Sequence, residues 1–158
     1  MSVTAAEGFR AAGVRAGLKA SGRPDLALVV NDGPLDVAAG VFTTNRIVSA
    51  PVIWSRGVIA GERGGSGSAR AVVLNSGSAN ACTGPRGAAD AAATAERVAG
   101  LLADCGVSVG DVLVCSTGVI GVPIDMPALE EGVASAVRIL SASRRAGHDA
   151  ATAIMTTD

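Results

Sequence analysis

The apolar residues of this chain come in short unbroken runs rather than in one long stretch. The run LALVV (residues 26–30) and those at residues 70–74 and 111–115 lack the polar alternation of a strand with one solvated face. Continuous apolar runs of this length are typical of strands that are covered on both faces. Charges interrupt each run well before the roughly 18 residues that a membrane-spanning helix needs, so no transmembrane segment is expected.

Helical spacing alternates with these runs in the second half of the chain. From Pro85, small apolar residues recur at helical spacing up to Leu102, and Gly106 is a stop signal. A second helix is predicted after a probable N-cap, Asp125, and a third from about residue 144 to 155. Strands first, then a strand and helices in turn, predict a layered α/β fold.

Two further runs and one loop complete this reading. Residues 37–43 follow LALVV across the turn-forming residues 31–34, which predicts a β-hairpin, and residues 51–54 are predicted as a short strand. The glycine- and serine-rich residues 61–68 have little to bury and are expected to form a flexible surface loop. Residues 1–158 are expected to form a single domain.

Composition excludes several functional classes. A net charge of −1 and only one Trp and two Phe leave neither a basic field nor a stacking platform, so nucleic acid is not an expected partner. The N-terminus has no secretory signal, so a cytoplasmic location is expected. Cys82, Cys105 and Cys115 do not have the spacing of a disulfide framework or of a zinc site, so no metal is expected. At least two of the three are predicted to be buried.

Two glycine-bearing segments follow predicted strands. Residues 75–84 (NSGSANACTG) could offer N–H groups at a helix N-terminus to a carboxylate, or could simply form a cap and turn. In residues 114–121, the hydroxyl of Thr117 and the N–H of Gly118 could together bind a developing oxyanion. His148, on a predicted exposed helix turn, is expected to be solvated or capping rather than part of a catalytic triad.

These segments, in this order, resemble the ornithine acetyltransferase family of arginine biosynthesis, also called glutamate N-acetyltransferase. The similarity spans nearly the whole chain, and several modest blocks in register are more specific than any one of them. The blocks are GFRAAG (8–13), GLK (17–19), RPDLAL (23–28), GVFTTN (40–45), APV (50–52), NSG (75–77), ANACTG (79–84), STGVIG (116–121) and AIMTTD (153–158).

The resemblance implies a layered, non-Rossmann α/β fold and a precursor that cleaves itself into an α and a β chain. The new N-terminal threonine of the β chain would take the acetyl group of N-acetylornithine and pass it to glutamate, with its own amine as base. Thr117 and Gly118 match the family's oxyanion pair, and Thr156 matches a substrate-contacting threonine. The resemblance implies no cofactor, although acetyl-CoA is a co-substrate of some members, and it implies a heterotetramer of two α and two β chains.

Two departures from the family pattern concern this chain. Ser78 stands where the family usually has Asn, so a loop contact is expected to differ. The family's self-cleavage point and nucleophile lie beyond Asp158, so the 158 residues are expected to be inactive alone. Two alternatives remain: a module that binds an N-acyl amino acid without chemistry, and a self-processing aminopeptidase on the same scaffold.

Overall fold

Four strands form one mixed sheet with helices on both faces. The computed structural model describes residues 2–64 and 67–156. The elements are β1 (Phe9–Val14), β2 (Leu26–Asn31), α1 (Ala50–Ile59), β3 (Ala71–Ser78), α2 (Gly84–Leu101), β4 (Val112–Val119), α3 (Met126–Ile139) and α4 (Arg144–Ala153). The sheet order is β1-β2-β3-β4; β2 is antiparallel to both β1 and β3, and β3 is parallel to β4. This architecture confirms the predicted layered α/β fold.

Residues of β2 alternate between the two helical layers. In β2, Leu26 and Leu28 belong to the core shared with α1, α2 and α3, whereas Ala27 packs with alanines of β1 and α4. The α4 layer lies so close that a Cβ atom on Gly13 would be 2.1 Å from the carbonyl oxygen of Asp149. The run LALVV is therefore covered on both faces, as predicted.

The three predicted helices are present. The helix predicted from Pro85 is α2, and Gly106 takes the left-handed conformation (φ 73°) just beyond it. The side chain of Asp125 accepts a hydrogen bond from the Ala128 N–H at 3.2 Å, which confirms the predicted N-cap of α3. The last helix, α4, ends at Ala153 rather than at residue 155.

The predicted hairpin is wrong. β2 pairs with β1, and residues 37–43, all of them described, contribute only an isolated bridge between Val37 and Ser68. The sequence of β1, FRAAGV, was not predicted as a strand because alanine and glycine have low strand propensity. Small residues are needed there because α4 packs directly against β1, so a tertiary contact overrides the local preference.

The strand predicted for residues 51–54 is also wrong, because these residues begin α1. Pro51 lies in the first helical turn, where its missing N–H removes no intrahelical hydrogen bond. Trp54, Ser55 and Val58 are buried on one side of the helix, which is helical rather than strand spacing.

The loop predicted to be flexible, residues 61–68, connects α1 to β3. Residues 65 and 66 lie outside the described residues, and the flexibility of the loop stays a prediction. At its far end Ser68 is buried, and its hydroxyl lies 3.1 Å from Oδ1 of Asp111.

The prediction of buried cysteines is wrong, since Cys82, Cys105 and Cys115 are all exposed. The side chains of Val112 and Val114 point into the core, and the side chain of Cys115 points to the opposite face of β4. On that face α4 packs on β1 and β2 and does not cover Cys115. Within the described ranges, no group of three His, Cys, Asp or Glu residues could hold a metal ion. No helix of the described part of the chain is long and apolar enough to cross a bilayer.

Candidate functional site

A cleft of about 850 Å³ opens at the C-terminal ends of the parallel strands β3 and β4. Thr117 and Gly118 line it from β4, Gly77 and Ser78 line it from β3, and Thr156 lines it from the segment after α4. Parallel strands end at the same edge of a sheet, which brings the two glycine-bearing segments together. The adjacent residues Thr117 and Gly118 and the distant Thr156, which the sequence singled out, therefore share one cavity.

The floor of the cleft contains two glycines in direct register, Gly77 opposite Gly118. Their φ angles, 129° and 130°, are ones that side-chain-bearing residues rarely adopt. A Cβ atom on Gly118 would lie 2.4 Å from the carbonyl carbon of Gly77, and one on Gly77 would lie 2.6 Å from the carbonyl oxygen of Leu18. Both positions require glycine, so the cleft meets bare main chain there.

At alternate residues of β4, the main-chain N–H and C=O groups point away from β3, toward the outer edge of the sheet. Ser55 Oγ of α1 donates to the carbonyl of Val114 at 2.8 Å and accepts from its N–H at 3.0 Å. Alternate residues of a strand direct these groups to the same edge. The alternation persists to Val119, whose carbonyl accepts from the Ala79 N–H on the β3 side at 3.0 Å. The N–H of Gly118 is thus directed away from β3.

The hydroxyl of Thr117 has no hydrogen-bond partner among the residues that the structure describes, and the side chain is exposed in the cleft wall. The strand ends around it are cross-linked. Ser116 Oγ donates to Oδ1 of Asn75 at 2.5 Å, and Nδ2 of Asn75 donates to the carbonyl of Ser78 at 2.9 Å. Thr117 therefore projects from a rigid wall with its hydroxyl available to a ligand.

Most of residues 75–84 form the end of β3 and the turn into α2 rather than a ligand site. Asn80 is buried; its Nδ2 donates to the carbonyl of Gly87 at 2.8 Å, and its Oδ1 accepts from the Thr83 hydroxyl at 2.6 Å. Of the whole segment, Gly77 and Ser78 line the cleft. Residues 79–84 thus form the turn of the cap-and-turn alternative, although no side-chain hydrogen bond caps α2 at Thr83.

Ser78 ties the loop after β4 to the end of β3. Its hydroxyl donates to the carbonyl of Val122 at 2.8 Å and accepts from the N–H of Asn80 at 3.3 Å. Val122 also lines the cleft. The Ser78 side chain therefore holds two lining segments, the end of β3 and the loop after β4, against each other.

The sequence reasoning missed Asp25, whose side chain holds the segment 16–19 that lines part of the cleft. Asp25 is fully buried, and its carboxylate accepts the N–H groups of four consecutive residues, 16–19, at 2.6–3.1 Å. A buried carboxylate is tolerated only when it is hydrogen-bonded in this way. The one available signal was an acid placed directly before the fully buried run LALVV.

The titratable groups with shifted pKa values lie outside the cleft. The hydrogen bond from Arg10 lowers the pKa of Asp32, whereas burial raises the pKa of Asp90. None of these groups lines the described cleft. His148 is exposed on α4, as predicted, and is not among the lining residues either.

This fold and this cleft define an α/β domain of the ornithine acetyltransferase class. The chain superposes with a TM-score of 0.93 on the crystal structure of ornithine acetyltransferase complexed with ornithine from Mycobacterium tuberculosis, at 54% identity over 99% of this chain and 80% of that chain. The arginine biosynthesis bifunctional protein ArgJ from Bacillus halodurans gives a TM-score of 0.86 at 36% identity, over 100% of this chain and 77% of that chain.

Residues 10–158 match the ArgJ family model, and the chain belongs to the ArgJ family. The arginine biosynthesis bifunctional protein ArgJ of Streptomyces coelicolor is 57% identical over 100% of this chain and 39% of that protein. The protein of the same name from Bifidobacterium longum is 56% identical over 100% of this chain and 39% of that protein. The family predicted from the sequence is confirmed, and the chain spans 39% of the length of these two relatives.

Proposed function

We propose that this chain carries the oxyanion-binding part of an acetyltransferase site that moves the acetyl group of N-acetylornithine to glutamate in arginine biosynthesis. The observation that carries the proposal is the meeting of Thr117, Gly118 and Thr156 in one cleft. The names of the relatives and the ornithine in the mycobacterial crystal structure support the same chemistry.

The wall formed by Thr117 and Gly118 suits the transition state of acyl transfer. Attack on the acetyl carbonyl turns its oxygen into an oxyanion, and donors fixed in advance stabilise that charge without reorganisation. In the proposal the two donors are the Gly118 N–H, directed away from β3, and the Thr117 hydroxyl. Thr156, in the cleft wall, contacts the substrate.

The nucleophile in this proposal is the N-terminal threonine of a β chain, as the family resemblance implies. Its Oγ attacks the acetyl carbon, its amine takes the hydroxyl proton, and the amide C–N bond breaks as ornithine leaves with that proton. The amine of glutamate then attacks the acyl-threonine and the ester C–O bond breaks. The proton lost by the glutamate amine passes through the threonine amine to the threonine Oγ, which regenerates the hydroxyl. No residue of 1–158 is assigned this role.

The wider setting belongs to the proposal as well. The functional unit is a heterotetramer of two α and two β chains in the cytoplasm, and this chain supplies most of each α part. The reaction uses no resident cofactor, and acetyl-CoA is an alternative acetyl donor.

Thr117→Ala in the complete enzyme, containing both the α and the β parts, tests the assignment. We expect kcat for acetyl transfer to glutamate to fall by about 10²–10³, with KM for N-acetylornithine nearly unchanged, because the lost donor acts in the transition state. Thr117→Ser should recover most of the rate. Thr152→Ala, which removes a hydroxyl outside the cleft lining, is the matched control. An unchanged rate in Thr117→Ala would refute the oxyanion role, and binding without turnover in the wild type would favour the non-catalytic alternative.

A further inference from the structure

Lys19 is chemically unique in this chain. Of the 13 lysines and arginines, it is the only lysine. Its Nζ donates to the carbonyl oxygens of Pro24 at 3.1 Å, Ala153 at 3.4 Å and Met155 at 2.5 Å. An ammonium directs three N–H donors tetrahedrally, whereas the donors of a guanidinium lie in one plane, so three converging carbonyls suit lysine.

Two of these acceptors lie at the C-terminal end of α4, where the last carbonyls have no partner within the helix. A cation there also complements the negative end of the helix dipole. The carbonyl of Ala153 accepts a second hydrogen bond, from Oγ of Ser76 in β3, at 2.6 Å. The end of α4 is therefore tied both to the sheet and to Lys19.

Lys19 is itself held in place by the buried Asp25. Its backbone N–H donates to Oδ2 of Asp25 at 2.9 Å, and the preceding residue, Leu18, also donates to Oδ2, at 2.6 Å. The carbonyl of Leu18 faces Gly77 so closely that no side chain fits between them. The loop that carries the ammonium is thus fixed relative to the glycine floor of the cleft.

We propose that Lys19 is the positioning residue of this site: its ammonium fixes the exit of α4 so that Thr156 lines the cleft beside Gly77 and Gly118. The inference rests on the proposed function, in which Thr156 contacts the acylated substrate. Lys19 lines the cleft as well, but its three donors are directed at main-chain carbonyls, so the role proposed for it is positioning and not substrate binding. It acts on the reaction through Thr156.

The first test needs no activity and uses this chain. Amide hydrogen exchange in peptides covering residues 150–156 is compared for the wild type, Lys19→Met and Lys19→Arg. We expect exchange at residues 154–156 to quicken by about tenfold or more in Lys19→Met, since the exit of α4 is released, and by less in Lys19→Arg. Arg97→Met is the matched control, because it removes a cation that donates to the carbonyl of Glu130 between α2 and α3. Unchanged exchange in both Lys19 variants overturns the proposal.

The second test uses the complete enzyme. We expect Lys19→Met to raise KM for N-acetylornithine by about tenfold with kcat within about threefold, because substrate binding and not the oxyanion is affected. Lys19→Arg, which keeps the charge and is expected to fold, should give a smaller shift of KM. If exchange quickens but Thr117→Ala leaves kcat intact, the proposed function fails and the positioning of the α4 exit stands. If kcat falls in Lys19→Met while KM stays the same, the positioning role is wrong.

Discussion

Two irregular connections of this chain, residues 15–25 and residues 32–49, are held in opposite ways. In the first, the buried carboxylate of Asp25 accepts four main-chain N–H groups, and Lys19 binds three carbonyls. In the second, main-chain N–H groups bond to nearby side chains, as at Asn45 and Ile47, and apolar side chains face outward. Val41 is 99% exposed and Leu35 is 73% exposed.

This difference shows that lack of regular secondary structure does not by itself mean lack of constraint. In the connection 15–25, the N–H groups of residues 16–19 bond to the buried carboxylate of Asp25, so this part of the cleft lining is fixed. The connection 32–49 contributes little to the core, and substitutions in it should be tolerated by the folded chain. Paired substitutions in the two connections can therefore confirm or refute the contrast.

The largest effect is expected for Asp25→Ala. Four main-chain N–H groups would lose a buried charged acceptor, so the free energy of unfolding should fall by about 3–5 kcal/mol in urea denaturation of this chain. Asp36→Ala is the matched control in the other connection. Asp36 is 40% exposed and lies 3.8 Å from Arg70, so its removal should change stability by about 1 kcal/mol or less. Similar losses in the two variants would contradict the contrast.

Gly77→Ala should have the next largest effect. The new Cβ atom would require both the unfavourable φ of 129° and a displacement of the Leu18 carbonyl, which it would meet at 2.6 Å. We expect a loss of about 2–4 kcal/mol, measured as a lower Tm by circular dichroism. Gly40→Ala is the counterpart in the open connection, where the nearest atoms are the edge of the Phe42 ring at 3.3 Å. That variant should lose about 1 kcal/mol at most. Gly77→Ala disturbs the contact between β3 and Leu18 of the first connection, so an equal loss in Gly40→Ala would contradict the contrast.

The smallest effect is expected for Val41→Ser. The side chain is 99% exposed, so the free energy of unfolding should stay within about 0.5 kcal/mol of the wild type. Leu18→Ser, which removes a partly buried leucine packed on the core, should instead lose about 1–2 kcal/mol. Denaturation of both variants under the same conditions makes the comparison, and a substantial loss in Val41→Ser would mean that residues 32–49 pack on the domain.

The sequence predicts those elements whose buried residues form a recognisable pattern within the element itself. The apolar runs at 26–30, 70–74 and 111–115 are strands, and the spacing after Pro85 is a helix, because each pattern arises from one element's own buried face. β1 was missed because its residues are small for a reason that is distant in sequence: α4 packs against β1, with the Asp149 carbonyl close to Gly13. Residues 51–54 were misassigned because a run that short does not separate helix from strand.

The site divides in the same way. Thr117, Gly118 and Thr156 were found through motifs and a family resemblance, because side chains and glycines are visible in a sequence. Asp25 and Lys19 were not, since their partners are main-chain N–H and carbonyl groups that every residue possesses. Only the folded chain shows which of those groups converge on one carboxylate or one ammonium.

The close contacts between Leu18, Gly77 and Gly118 have a consequence for reshaping the cleft. Main chain meets main chain at the two glycines, so this part of the lining has no side chain to shorten and no room to add one. Under the proposed function, a redesign for a bulkier acyl group would begin at other lining residues, such as Val122 or Met155, whose side chains are half exposed and can be shortened without moving the two glycines.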